Sequence, residues 1–188
     1  MTATADMHAA WADDVLRFWF HELKPEQWFK RDDAVDQAII ARFSSTHVMV
    51  EATAAAALLT DAQTALAAII TLDQFSRNMF RSKARAFASD AKAFKLAEAA
   101  IEHRLDRGAT PQERLFFYLP FEHSEDAEAQ RRCVALMSAI GIAAYTKSAL
   151  AHQAIIARFG RFPHRNAVVG RTSTPEEIAF LMQPGSSY

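Results

Sequence analysis

Three short polar segments of this chain carry the side chains best suited to chemistry. They are LDQFSRNMFR at 72–81, LPFEHSED at 119–126 and RFGRFPHRNAVVGR at 158–171, called the first, second and third segments below. Each places charged, amide or imidazole groups beside phenylalanine, proline or glycine, whereas the sequence around them is alanine-rich and has helical periodicity. The contrast predicts a helical scaffold that carries one assembled polar site.

The second segment offers acid–base groups. Glu122 and Asp126 are four residues apart, and His123 and Asp126 three apart, so a continuing helix would place them on one face. Such a group could act as a general acid or base, or supply ligands to a divalent metal ion. The sequence has no HExxH pattern here and no second histidine on the same turn, so we expect no metal site. The competing interpretation is a capped helix start with one carboxylate paired to an arginine.

The first segment offers arginine and amide groups. Asp73, Arg77 and Asn78 lie within about one helical turn of each other. Together with Arg81, Arg77 could form a clamp for an anion, because arginine makes bidentate contacts to carboxylates and phosphates. The alternative is that Asp73 pairs with an arginine and locks a corner of the fold, since buried polar groups need hydrogen-bond partners.

The third segment is the most basic, with four arginines, one histidine and no acid. Gly160 and Pro163 prevent a helix from running through it, so a loop is predicted that presents His164, Arg165 and Asn166. A protonated histidine and arginines would hold an anion, whereas a neutral histidine beside a carboxylate of the second segment could move a proton. Phe159 and Phe162 are expected in the core. His152, two turns upstream, is expected to face the same region.

Composition sets the class of protein. The chain has 188 residues and a formal net charge of −1, which predicts one globular domain and gives no general attraction to nucleic acid or anionic lipid. Arginines outnumber lysines fifteen to six. The single cysteine, Cys133, excludes an intrachain disulfide and, with no signal peptide pattern at the N-terminus, predicts a reducing, cytoplasmic location. We expect Cys133 to be a buried structural thiol.

Helical periodicity and capping signals predict an all-α fold of about eight helices in antiparallel pairs. The predicted starts are near Asp13 or Asp14, Asp33, Thr60, Ala84, Thr110, Ser124, Ala143 and Thr174. The helix from Thr110 is expected to end before Pro120, and the helix from Ala143 to end at Gly160. Trp28 and Phe29 are expected to pack into the core from a connector.

The three segments, with ARAFASD at 84–90 and GRTSTPEE at 170–177, resemble the motifs of a bacterial family catalogued as domain of unknown function nine-two-four. The similarity runs from about Val15 to Leu181 and implies a TPR-like helical array over 1–188. It implies no activity and no catalytic residues. The chain departs from the family pattern at Ser76, where a proline is usual, and near 51–57, which is alanine-rich where the family tends to carry a glycine turn.

Three functions are compatible with these residues. The first is a binding protein whose polar cleft holds an anionic small molecule or a peptide carboxylate. The residues expected to line that cleft are Asp73, Arg77, Asn78, Arg81, His123, Arg161, His164, Arg165 and Asn166. The second is a hydrolase for an anionic substrate, with Glu122 or Asp126 as the base and His123 or His164 as the proton shuttle. The third is purely structural.

The main prediction is convergence of the three segments in one cleft. Acids are concentrated in the second segment and arginines in the other two, and the ends of neighbouring antiparallel helices can lie on one side of an array. We expect no cofactor, no nucleic acid partner and no membrane partner. The oligomeric state is not predicted.

Overall fold

The computed structural model of the chain describes residues 3–186, with side chains from residue 10 onward. Residues 3–186 contain helices and connectors and no β-strand, which confirms the all-α class. The α-helices are α1 (Ala3–Arg17), α2 (Asp33–Ala52), α3 (Ala62–Ile70), α4 (Ser76–Met79), α5 (Asp90–Glu102), α6 (Pro111–Glu122), α7 (Ala127–Ile140), α8 (Ala143–Phe159) and α9 (Pro175–Leu181). None of the helices in this part of the chain has both the length and the apolar character needed to cross a membrane.

A π-helical turn, Thr71–Phe75, joins α3 to α4 without a break. Counted as one helix, this run gives eight helices within residues 3–186, in agreement with the prediction. Every residue of the turn is buried. π-turns inside α-helices are rare and often lie at functional sites, and this one contains Asp73 of the first segment.

Two helix starts confirm their sequence signals. At the start of α6, the Thr110 amide donates to Glu113 Oε2 at 2.7 Å and the Glu113 amide donates to Thr110 Oγ1 at 3.2 Å. The same reciprocal capping box joins Thr174 and Glu177 at the start of α9. Helix α8 ends at Gly160, which has a left-handed φ of +68° as a glycine C-cap requires.

Several predicted boundaries are wrong. Helix α1 begins at Ala3, upstream of Asp13, because the alanine-rich segment before it favours helix. Aspartates cap α3 and α7, in place of the predicted Thr60 and Ser124: Asp61 and Asp126 accept the orphan amides. A carboxylate is a stronger acceptor than a hydroxyl and also interacts favourably with the positive end of the helix.

The structure also corrects two expectations about packing. Helix α6 continues through Pro120 to Glu122, although proline there removes one backbone hydrogen bond and typically costs about 3 kcal/mol or more. Residues 115–122 are all buried, and burial of several large side chains outweighs that cost. Trp28 is buried as expected, but Phe29 is 63% exposed. Phe29 lies on the outer side of Phe116, against which its ring stacks.

The chain folds as two compact units. Of the described residues, 3–81 and 85–120 form unit 1, and 82–84 and 121–186 form unit 2. Unit 1 packs α1 against α3, α2 against α4 and α3 against α5. Its core contains the edge-packed aromatic rings Phe18, Trp19, Phe75 and Phe116.

Unit 2 is built on the helical hairpin of α7 and α8. Residues 141–142 connect the two helices, and Gly141 has a φ of +83°, a conformation that favours glycine in so tight a turn. Ile155, Ile156 and the fully buried Phe162 form an apolar cluster on α8 and the loop after it. The expectation of one TPR-like domain over 1–188 stays a prediction.

Candidate functional site

The last residues of the first segment, Asn78 and Arg81, bind Asp36 in unit 1. Arg81 makes two hydrogen bonds to the Asp36 carboxylate, both 2.7 Å long, and Asn78 Nδ2 donates to the same carboxylate at 2.8 Å. Burial alone would raise the pKa of Asp36, but Arg81 and Asn78 hold that pKa below its ordinary value. Sequence reasoning missed Asp36, because an acid in the first turn of a helix is expected on electrostatic grounds alone.

Arg77 is paired with two carboxylates in unit 1. Its Nη1 lies 3.2 Å from Asp73 Oδ1 and donates to the Asp73 carbonyl at 2.7 Å. The guanidinium also contacts both oxygens of Asp90, at 3.0 and 3.1 Å. Burial would lower the pKa of Arg77, but these two aspartates hold it above its ordinary value. The predicted pairing of Asp73 with an arginine is therefore present.

In unit 2, Arg161 of the third segment is paired with Glu177 of α9. Arg161 donates to the two Glu177 oxygens at 2.7 and 2.8 Å, and Asn166 Nδ2 donates to Oε2 at 3.2 Å. These bonds, with the amide of Thr174, lower the pKa of Glu177 to about 2. Arg77, Arg81 and Arg161 thus bind carboxylates of the protein itself, which favours corner-locking roles for these three arginines.

Glu125 joins the second and third segments within unit 2. Its Oε1 accepts the backbone amide of Phe162 at 2.8 Å, and its two oxygens accept from Arg171 at 2.6 and 2.9 Å. These two segments therefore meet, as predicted. That the first segment joins them in the same cleft stays a prediction.

The end of α6 positions the acid–base residues of unit 2. Gln130 of α7, which is fully buried, donates through Nε2 to the carbonyls of Phe121, Glu122 and Ser124 at 3.3, 2.7 and 2.8 Å. The last carbonyls of a helix have no partner within it, so this side-chain amide fixes the turn on which Glu122 lies. His123, the next residue, is half-buried.

Glu122 and His152 form a buried carboxylate–imidazole pair. Glu122 Oε1 lies 3.2 Å from His152 Nδ1 and accepts the Ser148 hydroxyl at 2.8 Å. His152 Nδ1 is also 3.0 Å from the Ser148 carbonyl, one turn earlier in α8. The exposed fractions of Glu122 and His152 are only 3% and 5%. Burial lowers the pKa of His152 to about 4; the hydrogen bond to Ser148 opposes this shift, and the nearby His164 and Arg165 add to it.

Aromatic contacts place two imidazoles and one guanidinium around Phe162. Ring centroids of His152 and His164 lie 5.6 and 5.7 Å from that of Phe162, and the Arg165 guanidinium lies 4.6 Å from it. The ring of His123 lies 6.5 Å from that of His152. We call His123, His152, His164 and Arg165 the histidine cluster.

The structure divides the sequence-based candidates. Glu122, His123 and His164 lie in or beside the histidine cluster, whereas Asp126 is exposed and caps α7. His152 was expected only to face this region, and Ser148 was not considered. A histidine and a serine four residues apart on an alanine-rich helix were the available signal. Among the residues that the structure describes, no group of three or more His, Cys, Asp and Glu side chains is placed to hold a metal ion.

Cys133 is predicted to be unreactive in the folded protein. The thiol is fully buried in α7, with Sγ 3.9 Å from Glu122 Oε2. Burial and the adjacent Glu122 raise its pKa, so the reactive thiolate is scarce. Only globally unfolded molecules expose this thiol. We therefore expect Ellman's reagent to modify the native protein at least about a thousandfold more slowly than the denatured chain. Rapid modification of native protein would contradict the burial of this thiol.

The fold and the site define an all-α protein with a buried carboxylate–imidazole pair in a helical-hairpin unit. The model of the bacterial family of proteins of unknown function DUF924 matches residues 15–185, and the chain belongs to that family. A solved structure, that of the protein of unknown function ATU0120 from Agrobacterium tumefaciens, is 39% identical to the chain, with a TM-score of 0.88. The match covers 93% of this chain and 98% of that one. A search of curated proteins found no match. The family resemblance read from the motifs is thereby confirmed.

Proposed function

We propose that the protein binds the anionic group of a small molecule at His123, His164 and Arg165. The observation that carries the proposal is the histidine cluster of unit 2, in which two imidazoles and one guanidinium surround the Phe162 ring and His123 lies beside His152. Arginine and protonated histidine are strong charge-assisted donors to carboxylate and phosphate oxygens. The ring of Phe162 lowers the local dielectric constant and strengthens such bonds.

The ion pairs of Arg77, Arg81 and Arg161 reduce the number of residues that we assign to the ligand. The sequence named nine residues for the cleft, but Arg77, Arg81 and Arg161 bind carboxylates of their own units. Their guanidinium groups would have to leave those partners before they could bind a ligand. We assign the ligand to His123, His164 and Arg165, the members of the original set that belong to the histidine cluster.

We also propose a TPR-like arrangement of the helices and a cytoplasmic location, both of which the sequence predicts. The family resemblance supports a TPR-like arrangement of the helices. The single cysteine, which is reduced and buried, supports a cytoplasmic location.

The proposal is tested by calorimetric titration with inorganic phosphate and with succinate. We expect saturable binding to the native protein, and a loss of at least about tenfold in affinity for Arg165→Ala, the worth of one charge-assisted hydrogen bond. Arg158→Ala is the matched control, because Arg158 lies in the same segment but is half-exposed and paired with Glu176. This control is expected to bind as the unmodified protein does.

Two outcomes would refute anion binding at this place. One is the absence of saturable binding of either anion. The other is equal affinity in the unmodified protein, Arg165→Ala and His164→Gln. Because Arg165 is 8% exposed, its variant is compared only after circular dichroism shows native helicity, and half-buried His164 supplies the second substitution.

A further inference from the structure

We infer that a groove in unit 2 binds an acylated aliphatic amino acid, a ligand that joins an aliphatic side chain, an amide and a carboxylate at one carbon. The groove lies between the start of α7 and the end of α8. Each helix contributes three lining residues: Ala127, Gln130, Arg131, Gln153, Ile156 and Ala157. The histidine cluster includes none of these six residues, so the inference goes beyond the proposed anion site and does not depend on it.

The size of the groove limits the ligand. The groove has a volume of about 240 Å³. Pockets for drug-sized molecules hold about 300–1,000 Å³, so this groove suits a smaller ligand, of the size of one amino-acid residue with a short acyl group. Ala127 and Ala157 are exposed, and their small side chains leave the groove open to solvent.

Part of the lining is apolar. Ile156 is buried and belongs to the apolar cluster of unit 2. The methyl groups of Ala127 and Ala157 extend this apolar surface along both helices. Contact with an aliphatic group removes such surface from water, which is favourable. The lining therefore favours a ligand with an aliphatic side chain.

Two glutamine amides form the polar part of the lining. Gln130 is fully buried and is fixed by three backbone carbonyls, but its Oε1 has no partner among the described residues. Gln153 is half-buried, and its side chain makes no hydrogen bond to any residue from 10 to 186. An amide that lacks its hydrogen bonds favours a ligand that supplies both a donor and an acceptor. The amide of an acylated amino acid supplies both.

Arg131 provides the positive charge that a carboxylate needs. Its side chain is 61% exposed, and that of its partner Glu128 is 73% exposed. An exposed ion pair contributes little to stability, so Arg131 can exchange Glu128 for a ligand carboxylate at little cost. By contrast, Asp73 and Glu177, the partners in the buried ion pairs, are only 2% and 3% exposed.

The inference is tested by titration of nitrogen-15-labelled protein with N-acetyl-leucine, followed by amide chemical shifts. We expect saturable shifts concentrated at residues 127–131 and 153–157. N-acetyl-leucinamide lacks the carboxylate and should bind at least about tenfold more weakly. 4-Methylpentanoate lacks the amide and should bind at least about fivefold more weakly.

A pentapeptide that ends in leucine distinguishes two sources of the same chemical groups. Tighter binding of the pentapeptide than of N-acetyl-leucine would assign the groove to peptide C-termini. Weaker binding would assign it to free acylated amino acids.

Substitutions of exposed residues test the groove without disturbing the core. Arg131→Ala should weaken the binding of N-acetyl-leucine at least about tenfold. Lys147→Ala, which alters an exposed cation elsewhere on α8, should leave it unchanged. Ala157→Leu fills the groove and should abolish the shifts. Ala154→Leu is the matched control, because Ala154 is exposed on the same helix and does not line the groove.

Three results would each overturn the inference: no saturable shifts at 127–131 and 153–157, equal affinity for N-acetyl-leucine and its amide, or undiminished binding in Ala157→Leu. Shifts confined to residues 162–165 would assign the carboxylate to the anion site and would also overturn the groove. Arg165→Ala separates the two proposals. It should weaken the binding of phosphate and succinate and leave the binding of N-acetyl-leucine unchanged.

Discussion

Arg77→Ala is expected to lower the free energy of unfolding by about 3–5 kcal/mol, the range for removing one partner from a buried ion pair. The substitution would leave the Asp73 carboxylate, 2% exposed, and Asp90 without the guanidinium that they share. It would also remove the donor to the Asp73 carbonyl inside the π-helical turn. Urea denaturation followed by circular dichroism measures the change.

Arg131→Ala is the control for that experiment. Arg131 pairs with Glu128 on the surface of α7, where their side chains are 61% and 73% exposed. An exposed pair of this kind contributes about 0–1 kcal/mol. If Arg77→Ala also cost less than about 1 kcal/mol, a corner-locking role for the first segment would have no support, and Arg77 would return to the residues considered for ligand binding.

Glu125→Gln is expected to cost about 2–3 kcal/mol at neutral pH, because Glu125 accepts two bonds from Arg171 and one from the Phe162 amide. Burial would raise the pKa of Glu125, but Arg171 and the Phe162 amide hold it below its ordinary value. A carboxyl group whose pKa is lowered by folding stabilises the protein at pH values above the pKa that the group has in the unfolded chain, about 4.3. That contribution is lost as the pH falls through the folded-state pKa.

The difference in stability between the unmodified protein and Glu125→Gln should therefore shrink as the pH is lowered below about 4. Urea denaturation at several pH values between about 3 and 7 measures this convergence. Glu128→Gln, which alters an exposed carboxylate on the same helix, should show a small difference at every pH. A large difference for Glu125→Gln that persisted under acid conditions would show that shape, and not charge, holds the second and third segments together.

The sequence determined the local features of this fold. Thr110 and Thr174 start helices because each capping box is made within one turn, from residues close together in the chain. Gly160 ends α8 for an equally local reason, its left-handed φ. The family, too, could be recognised from the motifs alone. Pro120 shows where local prediction fails, because burial of its neighbours outweighed the tendency of proline to end a helix.

The tertiary structure decided which polar groups become partners. Arg81 binds Asp36, which is 45 residues away, although its own segment contains Asp73. His152, on an otherwise plain helix, became the partner of Glu122, whereas Asp126, in the same segment as Glu122, became a helix cap. Ion pairs and hydrogen bonds form only within a few ångströms, and those distances are set by how helices pack. The sequence therefore identified the segments that carry the polar groups, and the packing of the helices within each unit selected their partners.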